Sequence, residues 1–196
     1  MQSLPRATLV TVLAAALAAC ASTSPPTAAP AASAGSAAPA HTASTAKQAT
    51  ANLASASGSL VSGRLTLVPM GNGVHITGEI GGLQANSSHG FHIHEKGDCS
   101  AADASSAGGH FNPAATPHGR AGHGAHHAGD GDNLVADAQG VARVDAHFAG
   151  VSLGGAGAND IAGRALIVHA NADDYSSQPA GNAGARVACG IIQPTP

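Results

Sequence analysis

From Gly58 to Ile80 the sequence GSLVSGRLTLVPMGNGVHITGEI alternates apolar and polar residues on either side of the turn signal GNG, Gly71 to Gly73. A period of two is the spacing at which side chains return to one face of a strand, and it excludes an amphipathic helix. The stretch predicts two antiparallel strands joined by a tight hairpin. The same texture recurs in HGFHIHE (89–95), in NLVAD and VARVDAHF (133–137 and 141–148, a hairpin about Ala138 to Gly140), in RALIVHA (164–170) and in ARVACGII (185–192). Several short strands punctuated by Gly, Asn and Asp predict an all-β fold, an antiparallel Greek-key β-sandwich or barrel of immunoglobulin-like architecture. With only Phe91, Phe111, Phe148 and Tyr175 as aromatics, its core must consist mostly of Val, Ile, Leu and Ala. Lys96 to Asp132 and Ala172 to Ala185 escape the pattern. Irregular loops of that length in a compact domain are functional, or are held by something other than a core.

The strands are preceded by sequence of another kind. Met1 to Cys20, MQSLPRATLVTVLAAALAAC, has a basic start at Arg6 and an apolar run from Ala7 to Ala19. That run is too short to span a bilayer and has the form of an export signal. Its ending LAAC, Leu17 to Cys20, resembles the lipobox of bacterial lipoproteins, which implies a lipidated Cys20. Acyl chains partition into a bilayer at roughly 0.8 kcal/mol per buried methylene, so Cys20 would tie the protein to a membrane. The alternative is an ordinary cleaved signal with an incidental cysteine. From residue 21 to 46 the chain is almost wholly Ala, Ser, Thr and Pro, which cannot bury enough apolar surface to offset its ordering entropy. The expected organisation is therefore a signal at 1–20, a flexible tether at 21–46 and a domain at 47–196, on the periplasmic side of a bacterial cell envelope.

Three cysteines suit that compartment. If Cys20 carries lipid, Cys99 and Cys189 remain, either as a disulfide, which an oxidising periplasm favours, or as two free thiols. A net charge of −3, with no basic run and no aromatic platform, excludes nucleic acid as a partner. The sequence is compatible with a monomer or a homodimer.

Twelve histidines are far above ordinary usage for a domain of this size. A lone histidine is ordinarily a surface residue, but here there is a pattern. In GFHIHEKGDC, alternation places His92 and His94 on one face and Phe91, Ile93 and Glu95 on the other. Two imidazoles about 7 Å apart along a strand can reach one metal ion. The following loop, GGHFNPAATPHGRAGHGAHHAGD, offers His110, His118, His123, His126, His127 and Asp130. Three imidazoles and a carboxylate from this set would close a tetrahedral zinc site. His169, at the end of a late strand, is remote in sequence but is within reach of His92 and His94 in a sandwich.

GFHIHEKGDC, GGHFNP, HHAGD, VHANADD and GNAGARVACG resemble, in order and across nearly the whole domain, the motifs of the copper,zinc superoxide dismutases. The specific part is the spacing His110, seven residues, His118, eight residues, His127, two residues, Asp130. The resemblance implies a copper ion held by His92, His94, His110 and His169, and a zinc ion held by His110, His118, His127 and Asp130, with His110 bridging. It selects His127 over His126, leaves His123 and His126 as loop surface, and gives His89 a structural role. His41, His75 and His147 fall in no motif and are expected to be exposed. Asp173 matches the carboxylate linking His92 to His118, whereas Asp174 would be a loop charge. Cys99 and Cys189 match the family disulfide, and Arg186 the arginine that pairs with the incoming anion.

The activity so implied is dismutation of superoxide anion to oxygen and hydrogen peroxide, with His110 and Arg186 as catalytic residues. Neutral imidazoles suit both oxidation states of copper, and zinc has no redox chemistry, so such a centre separates catalysis from structure. The loop DDYSSQPAGNAGAR lacks the lysine and glutamate of many family members, which leaves Lys96 as a candidate guide for the anion. A competing reading is a lipid-anchored copper or zinc storage protein or metallochaperone, suggested by the surplus histidines. It requires neither Arg186 nor a bridging His110 nor Asp173, and all three are present.

Overall fold

The structure, a computed structural model, describes residues 43–195. The expected export signal, Cys20, His41 and the expected tether as far as residue 42 lie outside the described residues.

The strands form in the order β1 (Ala49–Ser55), β2 (Ser62–Met70), β3 (Gly73–Gly81), β4 (Ser88–His89), β5 (Phe91–His94), β6 (Leu134–Val135), β7 (Ala142–Ala149), β8 (Ala165–His169), β9 (Arg186–Ile191) and β10 (Gln193–Pro194). One 3₁₀ turn, Ser105–Ala107, interrupts the long loop after β5. The main sheet is antiparallel, with neighbours β5, β8, β9, β1, β2, β3 and β7, and with β10 beside β1. Strand β1 belongs to both layers, because Ala49 to Leu53 pair with β2 while Ala54 and Ser55 pair with β9. After β3 the chain crosses to β4 and β5 and then returns, so that β7 lies beside β3, the crossed connection of a Greek key.

The hairpin of β2 and β3 runs in unbroken register from Ser62↔Gly81 to Met70↔Gly73. Its inward residues Leu65, Leu67, Val74, Ile76 and Ile80 meet Phe91, Ile93, Leu166 and Val168 of the other layer in one core. Alternation thus has a direct consequence at β5 and β8. Phe91, Ile93, Leu166 and Val168 face the core, and His92, His94, Ile167 and His169 take the opposite face. That second face is not left to solvent, since all of β5 and β8 is buried.

Three features depart from the pattern read in the sequence. Strand β1 is invisible to it, because two of its three inward residues, Ala49 and Ala51, are too small to mark a period beside Leu53. Strand β6 pairs with β4, and its hairpin to β7 is reduced to one bridge, Ala136↔Ala142, around a turn closed by Gly140 N–H on the Asp137 carbonyl at 3.0 Å. Finally, Ser44 to Ala46, counted with the tether, lie against the domain. Thr45 and Ala46 N–H reach the Leu153 carbonyl at 3.2 and 3.0 Å, and Leu153 N–H donates to Ser44 Oγ at 2.9 Å.

Candidate metal centre

The long loop after β5 returns to the free edge of that strand. Phe111 N–H donates to the Ile93 carbonyl at 2.8 Å, Ile93 N–H to the Gly129 carbonyl at 2.9 Å, and Gly129 N–H to the Phe111 carbonyl at 2.8 Å. Single bridges pair His94 with His110 and His92 with Asp130. Backbone pairing, rather than a further strand, thereby sets the loop residues beside the strand histidines.

Two four-residue groups result, each with ligand atoms within 4.8 Å of one another and every member buried: His92, His94, His110 and His169, and His110, His118, His127 and Asp130. His110 belongs to both. Its Nδ1 lies 2.7 Å from Asp130 Oδ1 and its Nε2 faces the first group.

In the first group each ring is oriented by its outer nitrogen. His92 Nε2–H donates to Asp173 Oδ2 at 2.8 Å, His94 Nδ1–H to the Gly108 carbonyl at 2.9 Å, and His169 Nδ1–H to the Gly184 carbonyl at 3.3 Å. A nitrogen that faces a carbonyl or carboxylate oxygen carries the proton, so in a neutral ring the other nitrogen presents its lone pair. Those nitrogens, His92 Nδ1, His94 Nε2 and His169 Nε2, together with His110 Nε2, are buried without a hydrogen-bond partner. An unpaired buried polar atom costs about 1–3 kcal/mol, so four lone pairs converging on one point fit a cation ligated by imidazoles. Burial above all, and then the Coulombic effect of neighbouring histidines, disfavours protonation of His94, His169 and His110, and the positive charge of Arg186 adds to this at His94 and His169. His94 is pushed down to about 2, His169 to about 3 and His110 to about 4.

The second group is organised by Asp130, which the Nδ1 atoms of His110, His118 and His127 approach at 2.7, 3.0 and 3.1 Å. The contact from His118 is within ion-pair reach but off the angle of a hydrogen bond. Burial raises the Asp130 carboxyl, but hydrogen bonds from His110 and His127 and from the N–H groups of His127 and Gly119 outweigh it and hold Asp130 ionised. Three imidazole nitrogens around one carboxylate fit a small divalent cation such as zinc.

Asp173 joins the two groups. Its Oδ2 accepts from His92 and its Oδ1 from His118 Nε2–H at 3.0 Å. Asn133 clamps its backbone, accepting Asp173 N–H at 2.8 Å and donating to its carbonyl at 2.9 Å. Gly181, with φ +67°, lies against this carboxylate: a Cβ there would overlap Asp173 Oδ1 and stand 2.7 Å from His118 Nε2. Asp174 points away and binds the N–H groups of Ser176 and Ser177.

An open cleft of about 470 Å³ reaches the first group, lined by His94, His110 and His169 and by Ser177 to Ala180, Asn182 and Arg186. Arg186 is the one cation in that lining. Its guanidinium donates to the carbonyls of Ala104 and Gly108, each at 2.6 Å. The loop supplying those carbonyls is bonded to β9 by the Cys99–Cys189 disulfide, with Cα atoms 5.8 Å apart. Beneath it Ala56, Ala104, Ala107, Ala165, Ile167 and Cys189 form a small apolar cluster.

The other histidines and Lys96 are placed as follows. His89 is buried, with Nδ1 on the His169 carbonyl at 2.9 Å. His123 and His147 are exposed, and His126 is half-buried against the carbonyl of His127. His75, expected to be exposed, is half-buried instead and pairs with Asp145 at 3.2 Å. Lys96 is exposed and is not part of the cleft lining. Asn133 and Gln178, which hold the site from behind, are not legible in the sequence, because an amide in a loop has no periodicity to mark it.

An all-β sandwich with two buried groups that could each hold a metal ion, with His110 in both, has the arrangement of a metalloprotein. A family model described as copper/zinc superoxide dismutase (SODC) matches residues 61–192. The chain is 40% identical over 149 residues to superoxide dismutase [Cu-Zn] 2 of Aquifex aeolicus, covering 74% of this chain and 86% of that protein. It is 42% identical over 150 residues to superoxide dismutase [Cu-Zn] of Caulobacter vibrioides, covering 74% and 85%. Among solved structures it resembles a SOD-like protein from Bacillus subtilis, with TM-score 0.66, 38% identity and coverage of 72% of this chain and 96% of that one. It also resembles the clock protein EA4, with TM-score 0.69, 38% identity and coverage of 80% and 99%. The chain belongs to the copper/zinc superoxide dismutase family, an oxidoreductase family whose metals are copper and zinc.

Proposed function

We propose that His92 Nδ1, His94 Nε2, His110 Nε2 and His169 Nε2 hold copper, that the Nδ1 atoms of His110, His118 and His127 with Asp130 hold zinc, and that His110 bridges the two. The observation that carries this reading is the set of four buried nitrogens without partners, on residues of which His94, His110 and His169 line the cleft, beside a carboxylate, Asp130, that does not. Dismutation oxidises one superoxide anion to oxygen and reduces a second, with two protons, to hydrogen peroxide. Bound copper supplies the exchange of one electron by alternating between its cupric and cuprous states.

The chain's own residues supply the rest. Arg186 draws the anion to the inner end of the cleft and pairs with it, countering a net charge of −3. His110 can take up a proton at Nε2 while Nδ1 stays with the zinc group, and can deliver that proton to the forming peroxide. Asp173, by holding His92 and His118 together, keeps the two groups at a fixed spacing. Storage or metallochaperone function is not favoured, because it uses neither the cleft nor Arg186.

The export signal and the lipobox-like ending at Cys20 support a periplasmic protein anchored to a membrane of the bacterial cell envelope, and a disulfide suits that oxidising compartment. Incorporation of labelled palmitate, lost in Cys20→Ser, tests the anchor; equal labelling of both proteins would overturn it. Anomalous diffraction at the copper and zinc absorption edges tests the centre. Copper is expected among His92, His94 and His169, and zinc among His118, His127 and Asp130. Exchanged positions, or a metal missing from either group, would overturn the assignment.

A further inference from the structure

We infer that Gln178 is a positioning residue that fastens the wall of the cleft to the backbone of His118 and so governs how tightly the second group holds its metal. The inference rests on the assignment of that group to zinc and goes beyond it.

The geometry is a two-point clamp. Gln178 Oε1 accepts His118 N–H at 2.9 Å, and Gln178 Nε2 donates to the His118 carbonyl at 2.9 Å, across 60 residues of sequence. The same nitrogen approaches the Ser176 carbonyl at 3.3 Å, which aligns the amide with its own loop. A side chain that accepts and donates at once must be a primary amide: a carboxylate only accepts, an ammonium only donates, and asparagine is one methylene shorter.

His118 is otherwise held by its ring, through Asp173 on the same loop as Gln178 and through its approach to Asp130. Gln178 therefore fixes the backbone of a residue whose imidazole Asp173 already orients, and two constraints from one loop leave the ring little freedom. Ser177, Gln178, Pro179 and Ala180 are also cleft lining, on the loop that leads into β9 at Arg186. One amide thus joins the wall that shapes access for the anion to a residue of the buried second group. The net contribution of a hydrogen bond is modest, so loss of both is expected to weaken retention of the metal by about tenfold.

Cobalt(II), bound in place of zinc by the copper-loaded protein, provides the readout. Its loss to an excess of chelator is followed through its visible absorption in wild type, Gln178→Ala and Gln178→Glu, beside the melting temperature of each metal-free protein. Gln178→Glu is nearly isosteric and decides the question if Gln178→Ala does not fold, because it keeps the bond from His118 N–H and turns a carboxylate toward the His118 carbonyl. The inference expects cobalt to leave both variants about tenfold faster, with altered absorption bands and little change in metal-free melting temperature. Cobalt lifetimes and bands equal to wild type would overturn it, as would faster loss accompanied by an equivalent fall in metal-free stability. Failure of the unaltered protein to bind cobalt would overturn the zinc assignment itself.

Discussion

Asp173 Oδ2 accepts the Nε2 hydrogen of His92 at 2.8 Å, and both side chains are fully buried. Its other oxygen accepts from His118, so a single carboxylate orients one ring of each metal group. Removing such a partner costs about 10–100-fold in metal affinity. In Asp173→Ala the zinc group should suffer more, because His118 then keeps only its backbone clamp and its approach to Asp130. Competition with a chelator should show zinc affinity reduced by about that factor and copper affinity reduced less. Unaltered zinc affinity would mean that the carboxylate does not position the ring.

Arg186 is the one cation lining a cleft whose other wall residues are Ser, Gln, Pro, Ala, Asn and Gly beside the histidines. Steering by a single partly buried charge is weakly screened, since most of the field acts within a Debye length of about 10 Å at 0.1 M salt. Between 10 and 200 mM salt, kcat/KM should therefore fall by no more than about threefold. Arg186→Ala should lower it at every salt concentration by about tenfold or more. A steep salt dependence would point to further charges acting on the anion from outside the cleft.

In the metal-free protein, His94 titrates at about 2 and His169 at about 3, because burial in the strand face penalises their charged forms. The unfolded chain binds these protons near pH 6.5, so below that pH the unfolded state carries more protons than the folded one. Stability is complete above pH 6.5 and is lost as the pH falls toward 3, at about 1.4 kcal/mol per pH unit for each histidine. His110, titrating at about 4, adds to the upper part of that window. Thermal melts of the metal-free domain should show a steep decline from pH 6.5 to pH 4. A flat profile there would show that these rings are not held neutral.

The Cys99–Cys189 disulfide closes a sequence separation of 90 residues. In the chain-entropy account such a loop contributes about 4 kcal/mol, which for a domain of this size is on the order of 10 °C in melting temperature. The same loop provides the carbonyls of Ala104 and Gly108 that hold Arg186, and Gly108 also accepts from His94. Cys99→Ser should therefore lower both stability and copper retention. Unchanged melting temperature and metal content would remove the disulfide from the account.

Chemistry carried by residue type was legible in the sequence; chemistry carried by the backbone was not. His92 and His94 stand out because imidazoles on alternate residues share a strand face, whereas His110, His118, His127 and Asp130 lie in one loop with His123 and His126 and are singled out only by the resemblance to the superoxide dismutase motifs. The strands of strong alternation, such as Arg64 to Ile80, were equally visible. Strand β1 was hidden because alanine gives little hydrophobic contrast at Ala49 and Ala51. The carbonyls of Gly108, Ala104 and Gly184, which orient His94, Arg186 and His169, belong to groups that every residue possesses. No sequence pattern announces which of them will be used. Asn133 and Gln178 act through the same kind of backbone contact, and only the folded loops bring them to Asp173 and His118.

The central claim is that the buried histidine face of β5 and β8, joined to the loop group through His110, turns over superoxide. Its most direct test is the decay of superoxide after pulse radiolysis, measured on the domain loaded with one equivalent each of copper and zinc and on His169→Ala prepared in the same way. The account predicts catalytic decay in proportion to bound copper in the wild-type domain, and loss of that activity in His169→Ala with zinc still bound. A wild-type domain that holds both metals yet leaves the decay at its uncatalysed rate would contradict it.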